Sequence, residues 1–337
     1  MKIVVYETEP WEREAFAALA DDHEVICREG PLAGEVEPDC RDADVVSAFI
    51  YSSLGAEVLD QFEHLQLLAT RSTGVDHVDV DWCDRHGVAV CNVPSYGENT
   101  VAEHVFALLL AISHHLVEAA DRTRRGDFSQ VGLQGFDLQG RTIGIVGTGH
   151  IGRHAASIAR GFDMTVLAYD TAPDAQAAEA CGFRYVDLET LLAEADIVSL
   201  HVPGTAATRH LIDEARFAQM KDGVVLINTA RGSVVDVQAL LRALASGKVR
   251  AAGLDVLPDE PTVREEAELL RRAFTKEHDL ETLLADHILL RLKNVIITPH
   301  SAFNTREAVA RILATTRANI EAFARGEPAN VVNRPGR

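Results

Sequence analysis

The chain has 337 residues, 47% hydrophobic and 25% charged, which is enough for two sizeable cores. A net charge of −19 excludes nucleic-acid binding as its main task, because neutralising phosphates needs clustered Lys and Arg. The apolar run 105–112 is far short of the ~20 residues that span a bilayer, and the five scattered cysteines at 27, 40, 83, 91 and 181 form no C-x-x-C pair, which fits a reducing cytoplasm better than a disulfide framework or a zinc site.

The opening MKIVVYE turns acidic at once and lacks a small-residue cleavage pattern, so it reads as a first strand and not as a signal peptide. Short β-branched runs at 2–6, 24–27, 45–50, 67–70 and 88–91 are predicted strands, separated by helical patterns. Residues 99–116 are apolar on nearly every face, which predicts a buried helix, with Thr100 and Glu103 as a capping box at its start. The tandem His114–His115 reads as helix surface. A second series of strands follows at 142–146, 165–169, 197–200, 224–227, 251–256 and 295–298. Strands separated by helices predict parallel sheets covered on both faces, and two such series predict two α/β domains. Residues 262–293 are charged and helical, with Leu269, Leu270, Leu283, Leu284, Leu289 and Leu290 among Glu and Arg, and read as an amphipathic surface excursion.

The segment TIGIVGTGHIG sets Gly147, Gly149 and Gly152 in G-x-G-x-x-G spacing between a predicted strand and a predicted helix. That frame suits a pyrophosphate at the helix start, beside His150 and Ile151. The next strand ends in Asp170, eighteen residues beyond Gly152. A carboxylate there accepts from the adenosine ribose and repels a 2′-phosphate, so the expected cofactor is NAD and not NADP.

Ligands of parallel sheets lie beyond the carboxyl ends of the strands. Those ends carry His201, Val202 and Pro203, then Thr229, Ala230 and Arg231, then Asp255, then His300. A nicotinamide there implies hydride transfer. Ketone reduction needs a proton donor, for which imidazole has the right acidity. A substrate carboxylate needs a cation, and guanidinium offers a rigid fork. A carboxyl beside the imidazole fixes its ring and raises its basicity. His300, Arg231 and Glu260 fill these roles, and no His or carboxylate group has metal-ligand spacing.

These segments, with RSTGVDHVD (71–79), VPSYGENTVAEH (93–104), LINTARGSVVD (226–236), AGLDVLPDEP (252–261) and NVIITPHSAF (294–303), resemble the D-isomer-specific 2-hydroxyacid dehydrogenases over nearly the whole chain. The resemblance implies two Rossmann-like or flavodoxin-like α/β domains. A substrate domain of residues 1–98 and 300–337 is interrupted by an NAD-binding Rossmann domain of residues 99–299. It implies that Arg231 holds the substrate, that His300 is the acid/base and that Glu260 pairs with it. It also implies that Ser72, Thr73, Gly74 and Val75 present N–H groups to the carboxylate, that Thr208 lies near the nicotinamide, and that the helix near 99–116 supports a homodimer. Within the family the D-lactate dehydrogenase branch is most similar, since Tyr96 and Phe303 match positions that crowd a small side chain such as the methyl of pyruvate. Departures at 97–100, at Asn304 and at Thr208 leave substrate breadth open. Hydroxypyruvate or glyoxylate reduction, oxidation of phosphoglycerate, and bulkier 2-keto acids remain alternatives, as does an NADH-sensing corepressor.

Overall fold

The computed structural model describes residues 1–258 and 287–335. The chain forms two compact units, Met1–Tyr96 with Thr305–Arg337, and Gly97–Asn304. Each is built on one parallel sheet whose strands alternate along the chain with helices.

The first unit contains β1 (Lys2–Val5), β2 (Glu24–Cys27), β3 (Val45–Ala48), β4 (Leu67–Thr70) and β5 (Ala89–Cys91), in the spatial order β2-β1-β3-β4-β5. The inner strands β3 and β4 are buried at every residue, as two-sided coverage demands. The core gathers Val4, Tyr6, Leu54, Leu59, Trp82 and Val90. The helix Val80–His86 begins where Asp79 accepts from the Trp82 N–H and stops at Gly87, whose φ of +73° suits glycine. Thr305 caps the final helix, Arg306–Ala324, which returns to this sheet: Asn319 Nδ2 donates to the Asn92 carbonyl at 2.9 Å.

The second unit contains β6 (Thr142–Val146), β7 (Thr165–Tyr169), β8 (Arg184–Tyr185), β9 (Ile197–Leu200), β10 (Val224–Asn228), β11 (Val249–Leu254) and β12 (Val295–Ile297). The spatial order is β12-β11-β10-β9-β6-β7-β8, all parallel. The chain runs outward from β6 to β8, then restarts at β9 on the other side of β6. The carboxyl ends of β6 and β9 therefore flank a topological switch point, where open α/β sheets bind ligands. The helix Glu98–Ser113 packs on β10, β11 and the helix His150–Gly161, with Leu109 fully buried. No single described helix is long and apolar enough to cross a membrane.

Several expectations are corrected. The long helix starts two residues before Thr100, with Gly97 at its N-cap, so Thr100 is buried inside the first turn and Glu103 accepts from the Asn99 amide at 3.2 Å; no capping box forms. The helix ends at Ser113, His115 takes a left-handed φ of +48°, and a second helix, Leu116–Arg124, leaves at 62°. His114 and His115 thus form a corner and not a continuous helix face. The two-residue strand β8 is too short for any periodicity to announce. Leu289 is a core residue of the second unit, while residues 262–286 of the expected excursion lie outside the described residues. The units divide at 96/97 and 304/305, where the sequence suggested 98/99 and 299/300. The shift arises because the turn after β12 is hydrogen-bonded to Asp255, and only Thr305 opens the helix that returns to the first sheet.

Two charged groups anchor the sheets. Asp196 accepts from the Thr142 N–H at 2.9 Å and from Lys221 Nζ at 3.0 Å at the amino edge of β6 and β9. Burial raises its pKa, but the Thr142 N–H and Lys221 outweigh that and hold it below the usual carboxylate value. Arg71, 2% exposed, donates from Nη2 to the Tyr6 and Glu7 carbonyls at 2.6 and 2.7 Å and lies 3.7 Å from Glu12. It ties the end of β4 to the end of β1 across β3.

A carboxyl with a depressed native pKa stabilises the fold above its unfolded value, about 4, and loses that contribution as the pH falls through the native value. Asp196→Asn should therefore lower the urea midpoint at neutral pH, and its difference from wild type should shrink steadily below about pH 4. Arg71→Met removes two buried hydrogen bonds and leaves Glu12 without its cation. It should destabilise by about 3–5 kcal/mol in equilibrium denaturation.

Candidate active site

The turn after β6 is shaped by close approach. Gly147 has φ +98°, and a Cβ there would lie 2.7 Å from the His201 carbonyl oxygen, at the switch point. A Cβ on Gly152 would lie 2.0 Å from the Gly147 oxygen, so helix and turn can pack this tightly only without a side chain. Gly149 is the N-cap of His150–Gly161 and would meet no atom within 4 Å, which leaves open space before the first N–H groups of that helix. His150 and Ile151 open the helix, with no carboxylate in its first turn. This is a cradle for an anion: oriented N–H donors, open space and no acidic residue in the helix's first turn.

Asp170 follows β7. Its Oδ2 accepts from the Thr148 N–H at 2.7 Å and from Thr148 Oγ1 at 2.9 Å, and its Oδ1 accepts from the Ala172 N–H at 3.0 Å. Burial pushes its pKa up, but the Ala172 and Thr148 donors prevail and it is lowered. The group is an ionised acceptor beside the cradle.

The neighbouring strand ends carry the expected residues. After β9, Ser199 Oγ lies 2.9 Å from His201 Nε2. Burial pushes the His201 imidazole down to about 4, so it is neutral near pH 7 and cannot act as the proton donor there. Val202 and Pro203 follow, and Thr208 Oγ1 donates to the Pro203 carbonyl at 2.6 Å, closing that loop. After β10, the fully buried Asn228 amide shapes the next turn: Oδ1 accepts from the Ala230 N–H and Nδ2 donates to the Arg231 carbonyl, both at 3.0 Å. Thr229 Oγ1 is buried there with no hydrogen-bond partner among the described residues. Arg231 is half-buried, donates from Nη1 to the Ala230 carbonyl at 2.8 Å, and packs against Gly204, where any Cβ would meet its Cγ at 2.8 Å. A Cβ on Gly232 would meet the Leu257 backbone at 2.1 Å, so the Arg231 turn lies directly against the segment leading toward Glu260. Glu260 itself lies outside the described residues.

After β11, Asp255 is fully buried and accepts from Thr298 Oγ1 at 2.5 Å and from the N–H groups of Ser301 and Ala302, both at 2.9 Å. These bonds grip the turn after β12 on both sides of His300. His300 has φ +52°, a left-handed conformation uncommon outside glycine, and is half-buried, as is Phe303. His104, on the long buried helix, places Nε2 3.0 Å from Thr298 Oγ1 and 3.6 Å from Asp255. Because β10, β11 and β12 are adjacent and parallel, Arg231, Asp255 and His300 share one edge of one sheet.

In the first unit, the loop after β4 is fixed by its own polar groups. Ser72 Oγ donates to the Gly74 carbonyl at 2.6 Å, Thr73 Oγ1 to the Val93 carbonyl at 2.8 Å, and Asn92 Nδ2 to the Thr73 carbonyl at 2.8 Å. The N–H groups of Gly74 and Val75 meet no acceptor among the described residues. Half-buried Tyr96 is held through its carbonyl by Arg311 Nε at 2.5 Å.

Sequence reasoning located the strand ends and the glycine turn. It missed Tyr185, whose hydroxyl lies 2.7 Å from Thr148 Oγ1, and His104, which supports the His300 turn. Tyr185 sits in a two-residue strand with no pattern, and His104 lies within an apolar helix where a lone polar residue carries no signal of a partner almost two hundred residues away.

The family model for the D-isomer specific 2-hydroxyacid dehydrogenase NAD binding domain matches residues 106–302. The chain is 36% identical over 312 residues to a glyoxylate reductase of Thermococcus litoralis, covering 90% of this chain and 88% of that protein. It is 34% identical over 334 residues to D-lactate dehydrogenase of Escherichia coli, covering 97% and 98%. Among solved structures it superposes on D-lactate dehydrogenase of Aquifex aeolicus, complexed with NAD and lactic acid, with TM-score 0.84, 36% identity and 96% of each chain covered. It superposes on the pyruvate reductase of Chlamydomonas reinhardtii with TM-score 0.87, 35% identity and 97% of each chain covered. With its two parallel-sheet units and its glycine cradle at the switch point, the chain belongs to the NAD-dependent D-isomer-specific 2-hydroxyacid dehydrogenases, oxidoreductases of 2-hydroxy acids.

Proposed function

We propose that the enzyme reduces a small 2-keto acid, pyruvate foremost, to the D-2-hydroxy acid. The observation that carries this reading is the sharing of one sheet edge by Arg231 and His300, with the His300 turn clamped in a left-handed conformation by buried Asp255. The relatives named for D-lactate and for pyruvate reduction support pyruvate, and those named for glyoxylate keep that smaller keto acid as the second reading.

The residues fit NAD. Gly147, Gly149, His150, Ile151 and Gly152 would hold the pyrophosphate, and Asp170 the adenosine ribose. Val202, Pro203, Thr208, Thr229 and Ala230 would flank the nicotinamide, with the orphaned Thr229 hydroxyl as a donor awaiting a polar partner. When bound, the nicotinamide supplies or accepts the hydride at C2 of the substrate. Arg231 takes the substrate carboxylate in its fork and draws charge toward the ketone oxygen. Phe303, on the same turn as His300, crowds the substrate side chain. Protonated His300 hands its proton to the developing alkoxide. In oxidation, neutral His300 removes it. Glu260 holds the imidazolium by charge, whereas Asp255 acts on the turn that presents it.

The residues 116–131 carry Leu116, Val117, Phe128 and Val131, each at least 57% exposed. Exposed apolar side chains in that segment fit a contact with a second copy, so the reading includes a homodimer.

NADH oxidation across pyruvate, glyoxylate, hydroxypyruvate and phenylpyruvate, with chiral analysis of the product, should give the highest kcat/KM on pyruvate and only the D isomer. An L product, or no turnover on any of the four, would sink the reading. Arg231→Lys should lower kcat/KM by roughly 100-fold or more, since a point charge cannot replace a bidentate fork. Light scattering at micromolar concentration should return the dimer mass, and Phe128→Asp with Val131→Asp should shift it toward the monomer.

A further inference from the structure

Asp170 does not stand alone beside the glycine cradle. Its ionised carboxylate can only accept, so each hydrogen bond to it has a fixed direction. Thr148 has a single hydroxyl proton, and it is engaged by Asp170 Oδ2 at 2.9 Å. The 2.7 Å contact between Thr148 Oγ1 and the Tyr185 hydroxyl must then run from Tyr185 to Thr148. The Tyr185 oxygen in turn accepts from the Asp174 N–H at 3.1 Å. The result is a one-way chain: Asp174 N–H to Tyr185, Tyr185 to Thr148, Thr148 to Asp170.

We propose that Tyr185 and Thr148 are positioning residues for cofactor choice, their hydroxyls pinning the Asp170 carboxylate so that it receives the ribose diol of NAD and meets a 2′-phosphate with an immovable negative charge. The proposal rests on the reading of Asp170 as the ribose acceptor. Oδ2 already holds two donors, the Thr148 N–H and hydroxyl, while Oδ1 holds one, from Ala172, and keeps acceptor capacity for a sugar hydroxyl. The carboxylate cannot turn without breaking bonds on both oxygens, and those same donors hold it ionised.

The far end of the chain is equally fixed. Tyr185 pairs with Ala168 across β7 and β8, and its ring meets Phe183 edge-on at 5.1 Å. The cation next to the turn is also engaged: Arg153 lies 3.0 Å from Asp174 through Nη2 and donates from Nε to the Thr148 carbonyl at 2.8 Å. A guanidinium that could have welcomed a 2′-phosphate is thus committed to the same network. Loosening the chain lets the carboxylate swing aside, which weakens the ribose contact and relieves the repulsion together.

The test is equilibrium binding of NADH, NADPH and reduced nicotinamide mononucleotide, followed by nicotinamide fluorescence without any 2-keto acid. Tyr185→Phe and Thr148→Val should each raise the Kd for NADH roughly fivefold to tenfold, the worth of one ordinary hydrogen bond. The Kd for NADPH should stay level or fall, so that the preference for NADH shrinks, and the mononucleotide, which lacks the adenosine ribose, should shift less than about twofold. Thr148→Ser, which keeps the hydroxyl, should behave as wild type. A common shift of all three ligands would make the network a mere prop of the fold and overturn the proposal, as would no shift in either variant. Asp170→Asn serves as the separate control: an unchanged NADH preference there would refute the ribose reading itself. Substrate identity does not enter the measurement.

Discussion

A fully buried carboxylate decides where the imidazole of His300 stands. Burying a charge is expensive unless donors surround it, and Asp255 collects three of them from the turn after β12, with His104 close by. The partnership works in both directions. The turn supplies the donors that make burial of Asp255 tolerable, and Asp255 supplies the restraint that keeps His300 at a positive φ, which for a non-glycine residue costs on the order of 1–3 kcal/mol. Neither feature would persist without the other.

The consequence is mechanical. His300 is tied to the sheet that carries Arg231 and the glycine cradle, not to the helix Arg306–Ala324 that begins a few residues later. A side chain anchored to the frame that also carries the guanidinium keeps its place relative to it. The cavity-filling requirements along this frame point the same way. Gly147 against His201, Gly204 against Arg231 and Gly232 against Leu257 are all places where a Cβ would collide with a neighbouring strand-end segment. The carboxyl edge of the second sheet is packed as closely as a core.

Much of this was legible in the sequence, for a physical reason. Strands buried on both faces are unbroken apolar runs, so β6, β7, β9 and β10 announce themselves almost to the residue. The ends of such strands in a parallel sheet share one edge, so Arg231 and His300 could be assigned to that edge without coordinates. Local polar chemistry was less legible. Thr100 and Glu103 have the spacing of a capping box, yet Gly97 ends the preceding segment and the helix begins before them. His115 breaks the helix through a backbone angle that no neighbour advertises. Tyr185 and His104 act through partners distant in sequence, and hydrogen bonds of that kind leave no periodic trace.

The two histidines at strand ends show how environment divides labour between identical side chains. His201 and His300 both follow a parallel strand and both belong to the edge where the nicotinamide would sit. Burial drives His201 toward the neutral form, about 4, and Ser199 gives its Nε2 a neutral partner. An imidazole so placed can orient but cannot carry a proton at physiological pH. His300 is half-buried on a turn exposed at Pro299 and Asn304, which keeps it within reach of solvent. Burial takes His201 out of proton transfer at this edge, which is why the proposed function gives that step to His300.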